Sequence, residues 1–139
     1  MSIWFDNYTV KDIVTKDTMV EHLGIVVTEL GDDYVVGTMP VDNRTKQPFG
    51  ILHGGASVAL AETLASYAGY LTINPEKYHV VGVEINANHL KMAKRGLVTG
   101  KCSPIKIGRS TQVWQTEIMN DDNELVCISR ITLMVLEKK

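Results

Sequence analysis

Hydrophobic and polar positions change period several times along this chain, and each change marks an element. From Gly24 the pattern is that of a strand, with Ile25-Val26-Val27-Thr28-Glu29-Leu30 running into the turn signal Gly31-Asp32-Asp33. Val35, Gly37, Met39 and Val41 then alternate with Tyr34, Val36, Thr38 and Pro40, so the two segments predict a hairpin. Asp42 to Phe49 is polar, carries Pro48 and predicts a loop. Gly54 to Leu71, rich in Ala and Leu and free of Pro, predicts one long helix. Strand patterns follow over Val80 to Leu90, over Gly96 to Cys102 with Ser103-Pro104 as its end, and over Thr111 to Met119 with Asp121-Asp122-Asn123 as its turn. The last strand is Leu125 to Leu136, where Leu125, Cys127, Ile131, Leu133 and Val135 mark one face and Ser129 is the exception. Thr9 to His22 is mixed and predicts a short helix or two.

One long apolar helix among six strands with hairpin-length connections implies an α+β layout, an antiparallel sheet with the helix on one face. A length of 139 residues fits a single domain over 1–139 that buries its own core. Fourteen basic and 16 acidic residues give a net charge of -2, so no global field draws the chain to nucleic acid or to an anionic membrane. Cys102 and Cys127 both fall in strands and read as buried, reduced residues. Met1 to Val10 has no basic stretch followed by an apolar run, and the expectation is a soluble cytoplasmic protein.

The long helix holds a single acid or base other than tyrosine, Glu62, among Ala59, Leu60, Ala61, Leu64 and Ala65. A helix so apolar is expected to be buried on most sides, and an ionised carboxylate there costs several kcal/mol unless paired. Either Glu62 does chemistry, or it lies on a solvated stripe or pairs with a distant cation. Ser66, four residues on, shares its face. His53-Gly54-Gly55 opens the helix, where unpaired backbone N–H groups and the helix dipole suit a carbonyl oxygen that becomes an oxyanion. Gln47 stands in the preceding loop. Gly55 and Glu62 are about 10 Å apart along the axis, too far to serve one carbonyl from one helix. If both act, a second copy must supply one of them across a two-fold interface.

The segment Met39-Pro40-Val41-Asp42-Asn43-Arg44-Thr45-Lys46-Gln47-Pro48-Phe49-Gly50, then Leu52-His53-Gly54-Gly55-Ala56-Ser57 and Ala61-Glu62, resembles the hotdog-fold acyl-CoA thioesterases. The branch it is most similar to holds the 1,4-dihydroxy-2-naphthoyl-CoA hydrolases and the proofreading thioesterase of enterobactin synthesis. Val81 to His89 and Gln112-Val113-Trp114-Gln115 are similar too, so the likeness covers nearly the whole chain after about Val20. The resemblance implies a long central helix wrapped by a curved antiparallel sheet, and homodimers paired back to back into homotetramers. It implies Glu62 as nucleophile or general base, the Gly55 N–H as oxyanion donor, and Gln47 and His53 on the thioester carbonyl. Ser66 would position water or the carboxylate, and His89 with neighbouring basic residues would hold the CoA tail. Thr63, Leu64, Ala65 and Tyr67 stand where relatives vary and are expected to shape the acyl pocket. A place in menaquinone synthesis is suggested by analogy alone.

The basic residues that could hold CoA phosphates are Lys91, Lys94, Arg95, Lys106 and Arg109, which otherwise read as solvated hairpin charges. No pair among the four His and two Cys has zinc-like spacing, and neither a phosphate-binding loop nor a dinucleotide fingerprint occurs, so neither a metal nor a cofactor is expected. His22 and His79 read as surface residues. Two other functions remain open on such a scaffold: a non-catalytic acyl-CoA-binding module, and a hydratase or dehydratase that leaves the thioester intact. A carrier-protein thioester is an alternative substrate to the free CoA ester.

Overall fold

A computed structural model describes all 139 residues. A 3₁₀ turn, Val10–Asp12, and a one-turn helix α1, Met19–His22, precede strands β1 (Val26–Leu30) and β2 (Val35–Pro40). The long helix α2 spans Gly54–Leu71, followed by β3 (Tyr78–His89), β4 (Leu97–Ile107), β5 (Thr111–Met119) and β6 (Leu125–Glu137). The predicted order of elements is therefore realised, with boundaries shifted by a few residues.

All six strands form one antiparallel sheet in the order β1-β2-β4-β5-β6-β3. The register shifts at Val27/Glu29, Gly82/Glu84, Pro104/Lys106 and Ile118/Met119, and such bulges sharpen the local twist. The sheet curls round α2, which packs against β2, β3, β4, β5 and β6. Contact is closest where the sheet has no side chain: a Cβ at Gly37 or Gly100 would lie 2.7 or 2.8 Å from the methyls of Leu64. Leu60, Leu64, Ala65 and Ala68 of α2 are fully buried against Val35, Met39, Val98, Trp114 and Ile118.

Two expectations are corrected. β4 does not end at Ser103-Pro104 but runs to Ile107. Its pairing with β2 stops at Cys102, so Pro104 has only β5 beside it and its missing N–H interrupts no ladder on the far side. Ser129 is not an exception on β6: it is buried on the same face, and its hydroxyl donates to the Asn86 carbonyl at 2.8 Å. Both cysteines are buried and free, and burial pushes the Cys102 thiol up to about 12. No helix is long and apolar enough to cross a membrane.

Candidate active site

The loop after β2 is held by the buried Val41 and Leu52 and by one buried polar residue, Thr45. Its hydroxyl donates to the Pro40 carbonyl at 2.6 Å and accepts from the Asp42 N–H at 3.2 Å. The Thr45 carbonyl in turn accepts from the His53 N–H at 2.8 Å, and Lys46 bridges Leu52. Gln47 and His53 are thus fixed on adjacent antiparallel segments of the loop at the start of α2. Asp42 braces the loop entrance. The Arg44 guanidinium beside it, then the Arg44 N–H, hold its carboxyl down at about 2.

Because that value lies below the ordinary carboxylate's, the pairing is present in full above roughly pH 4 and is lost as pH falls through about 2. An NMR titration should therefore give Asp42 a midpoint near 2 in the wild type. Arg44→Ala should return it towards about 4. A midpoint of 4 in both proteins would remove this brace.

His53 caps α2: the Gly55 N–H donates to His53 Nδ1 at 2.8 Å. With Nδ1 accepting, a neutral imidazole carries its proton on Nε2 and presents it as a donor. Gln47 is arranged in the same sense, since its Oε1 accepts the Phe49 N–H and its NH₂ group remains to donate. The backbone N–H expected to meet an oxyanion needs correction. That of Gly55 is engaged by His53, whereas that of Gly54 donates to no other atom of the chain. His89 reaches the same spot from the end of β3, its Nε2 2.9 Å from where a Cβ at Gly54 would lie. The missing side chain at Gly54 leaves room for the His89 ring, and His89 stands at the helix start.

Glu62 is exposed in the single chain, on the solvated stripe that was the alternative to burial. Gly55, Glu62, Ser66 and Tyr70 are exposed and Ala59 and Thr63 half-buried, which makes a stripe along α2. Its other members are uncharged, so in the sequence only Glu62 could mark such a stripe. Glu62 belongs to none of the three ion pairs and accepts no hydrogen bond. Its carboxylate lies over β3, with Oε2 3.0 Å from the position of a Cβ at Gly82. A cleft of about 340 Å³ opens beside it, lined on the helix side by Ala59, Glu62, Thr63, Ser66 and Tyr67. Of the residues expected to shape an acyl pocket, Thr63 and Tyr67 do line it. Leu64 and Ala65 do not, because they face the sheet and are fully buried.

The basic residues are divided. Lys91, Lys94 and Arg95 follow β3 at the end where α2 begins, around a hollow shared with Asn120, Asp121, Asp122 and Glu124. Lys91 is tied to Glu124 at 3.0 Å. Lys106 and Arg109 lie at the opposite end of β4, about 35 Å away along an 11-residue strand. They do not join the others within one chain. His22 and His79 are exposed, as read.

The profile of the thioesterase superfamily matches residues 49–127, which include His53, Gly54, Glu62, Ser66 and His89. The chain belongs to the thioesterase superfamily. This thioesterase is 48% identical over 136 residues to the 1,4-dihydroxy-2-naphthoyl-CoA hydrolase of Escherichia coli, covering 96% of this chain and 99% of the relative. It is 49% identical over 136 residues to the proofreading thioesterase EntH of Cronobacter sakazakii, covering 96% and 98%. The crystal structure of a thioesterase from Haemophilus influenzae superposes with a TM-score of 0.94 at 47% identity, over 97% of this chain and 95% of that one. The thioesterase accordingly has the hotdog fold and hydrolyses thioesters.

Proposed function

We propose that this thioesterase cleaves an aryl-CoA thioester to the free acid and CoA, at a site completed by a second copy of the chain. One observation carries the reading: Glu62 is the single carboxylate lining an otherwise largely apolar cleft. Glu62 takes a proton from water while the water oxygen attacks the thioester carbonyl carbon, or attacks that carbon itself to form an anhydride that water then opens. In both routes the carbonyl oxygen gains charge, the C–S bond breaks, and the CoA sulfur leaves as a thiolate that is then protonated.

The donors fit an oxyanion. The Gly54 N–H takes the place first assigned to Gly55, and the NH₂ of Gln47 and the Nε2–H of His53 point the same way in polarity. In this reading Gly55 acts through His53, by fixing its ring. Ser66 lies one turn beyond Glu62 to position the water, and Lys91, Arg95 and His89 stand at the helix start where a CoA tail enters. Arg109 could serve only from another subunit.

Two features support a second copy. Gly54 and Glu62 are about 12 Å apart along α2, beyond the reach of one carbonyl. β3 is an open edge of 12 residues with Val81 and Val83 exposed, and Glu62 lies directly over it. A long uncovered edge is a template for another strand. Pairing β3 with a second β3 would set each Glu62 near the partner's helix start.

Free-thiol release from a panel of aryl- and alkyl-CoA thioesters tests the reaction, and fastest release from an aryl ester is expected. Release from alkyl esters alone would refute the aryl assignment. Intact thioester with an altered Cα–Cβ bond would point instead to a hydratase. Coexpressed Glu62→Gln and His53→Ala chains should recover activity in mixed dimers that neither variant has alone. No recovery in a verified heterodimer would show that each chain holds a complete site.

A further inference from the structure

We propose that Tyr67 sets acyl-group selectivity by clasping the segment Asp6–Ile25 as a movable wall over the cleft beside Glu62. The inference rests on the thioesterase reading of that cleft and adds what closes it. Opposite α2, the cleft is walled by Met19, Val20, Leu23 and Ile25. The wall is anchored at both ends. The Phe5 N–H donates to the Leu71 carbonyl at 2.8 Å, and β1 begins at Val26. Between these anchors every hydrogen bond is local except one, from Tyr67 Oη to the Val14 carbonyl at 2.8 Å.

The segment is packed unevenly: Ile25 is buried and Ile13, Val20 and Leu23 pack partly against the core, while most of the rest is exposed. Neither its 3₁₀ turn nor α1 contains a buried residue, and Val14 and Met19 are 74% and 64% exposed. A span held by a few partly buried apolar side chains and one long-range hydrogen bond opens at lower cost than the sheet and α2. The Tyr67 hydroxyl is therefore the one polar tie that holds the wall against α2, while its ring forms part of the cleft's floor. Burial raises the phenol above its ordinary range, which keeps the hydroxyl protonated as a donor. A fastened wall favours compact acyl groups, and a released wall admits bulkier ones.

Tyr67→Phe keeps the ring and removes only the tie. Losing one hydrogen bond should lower the ratio of kcat/KM for a compact aryl-CoA over a bulkier acyl-CoA by about three- to tenfold. The change should lie in KM for the bulky ester rather than in its kcat. Amide exchange across residues 9–24 should quicken while that of β4, β5 and β6 stays the same. Met19→Ala, which trims an exposed wall residue, should shift selectivity in the same direction. An active Tyr67→Phe enzyme with wild-type selectivity and wild-type exchange overturns the clasp. Faster exchange with unchanged selectivity overturns the role in selectivity. A wild-type protein that cleaves no thioester overturns the underlying reading and the selectivity with it, while the exchange experiment still judges the tie.

Discussion

Replacing Glu62 by Gln is expected to lower kcat/KM for thioester hydrolysis by about a thousandfold, within the usual range for loss of a positioned base or nucleophile. The amide is nearly the same size but neither accepts a proton from water nor attacks a carbonyl. The folded chain should hardly notice. Glu62 is exposed, forms no ion pair and accepts no hydrogen bond, so its removal leaves no partner stranded. Activity lost at unchanged melting temperature separates a working group from a structural one. Thiol release and a thermal melt on the same preparation decide it. More than about a tenth of wild-type activity in Glu62→Gln would leave the carboxylate outside the chemistry.

Trp114→Ala carries the largest expected effect on stability. The side chain is fully buried at the centre of β5, and its ring stacks on Trp4 with centroids 6.4 Å apart and planes 7° from parallel. The indole N–H donates to Gln112 Oε1 at 2.8 Å, Gln112 Nε2 donates to Thr72 Oγ1 at 2.9 Å, and Thr72 Oγ1 donates to the Gly69 carbonyl at 2.7 Å. That chain of bonds ties the C-terminal end of α2 to the sheet. Alanine leaves a cavity and strips Gln112 Oε1 of its partner. The cavity should cost about 3–5 kcal/mol. The orphaned acceptor adds roughly 1 kcal/mol or more. For a domain of this size such a loss lowers the melting temperature on the order of 15 °C. Trp114→Phe keeps an aromatic ring over Trp4 and should lose markedly less. A drop of under about 5 °C for Trp114→Ala would show that the core closes over the gap.

The element order and the residue types of the site were legible because both depend on short stretches of chain. Alternation from Val35 to Val41, the Gly-Asp-Asp turn and the Pro-free run of α2 each express a local period or turn preference. Glu62 stood out for the same reason, as one charge in 18 helical residues. His53 and Gln47 were found as side chains, but their donor polarity was not, since it follows from the backbone N–H groups of Gly55 and Phe49.

What the sequence by itself determined, then, is the hotdog order of elements and the set of groups available for chemistry. Tertiary structure alone decided which of those groups meet. It brought His89 onto Gly54 and laid Glu62 over Gly82. It carried Arg109 to the far end of β4 from Lys91 and Arg95, sent β3 to an open edge beside β6, and folded Met19 and Val20 against the cleft. The β3 edge and the meetings of His89 with Gly54 and of Glu62 with Gly82 depend on how segments tens of residues apart pair and pack. Register is fixed by which faces bury together, and a local period carries no record of its distant partner.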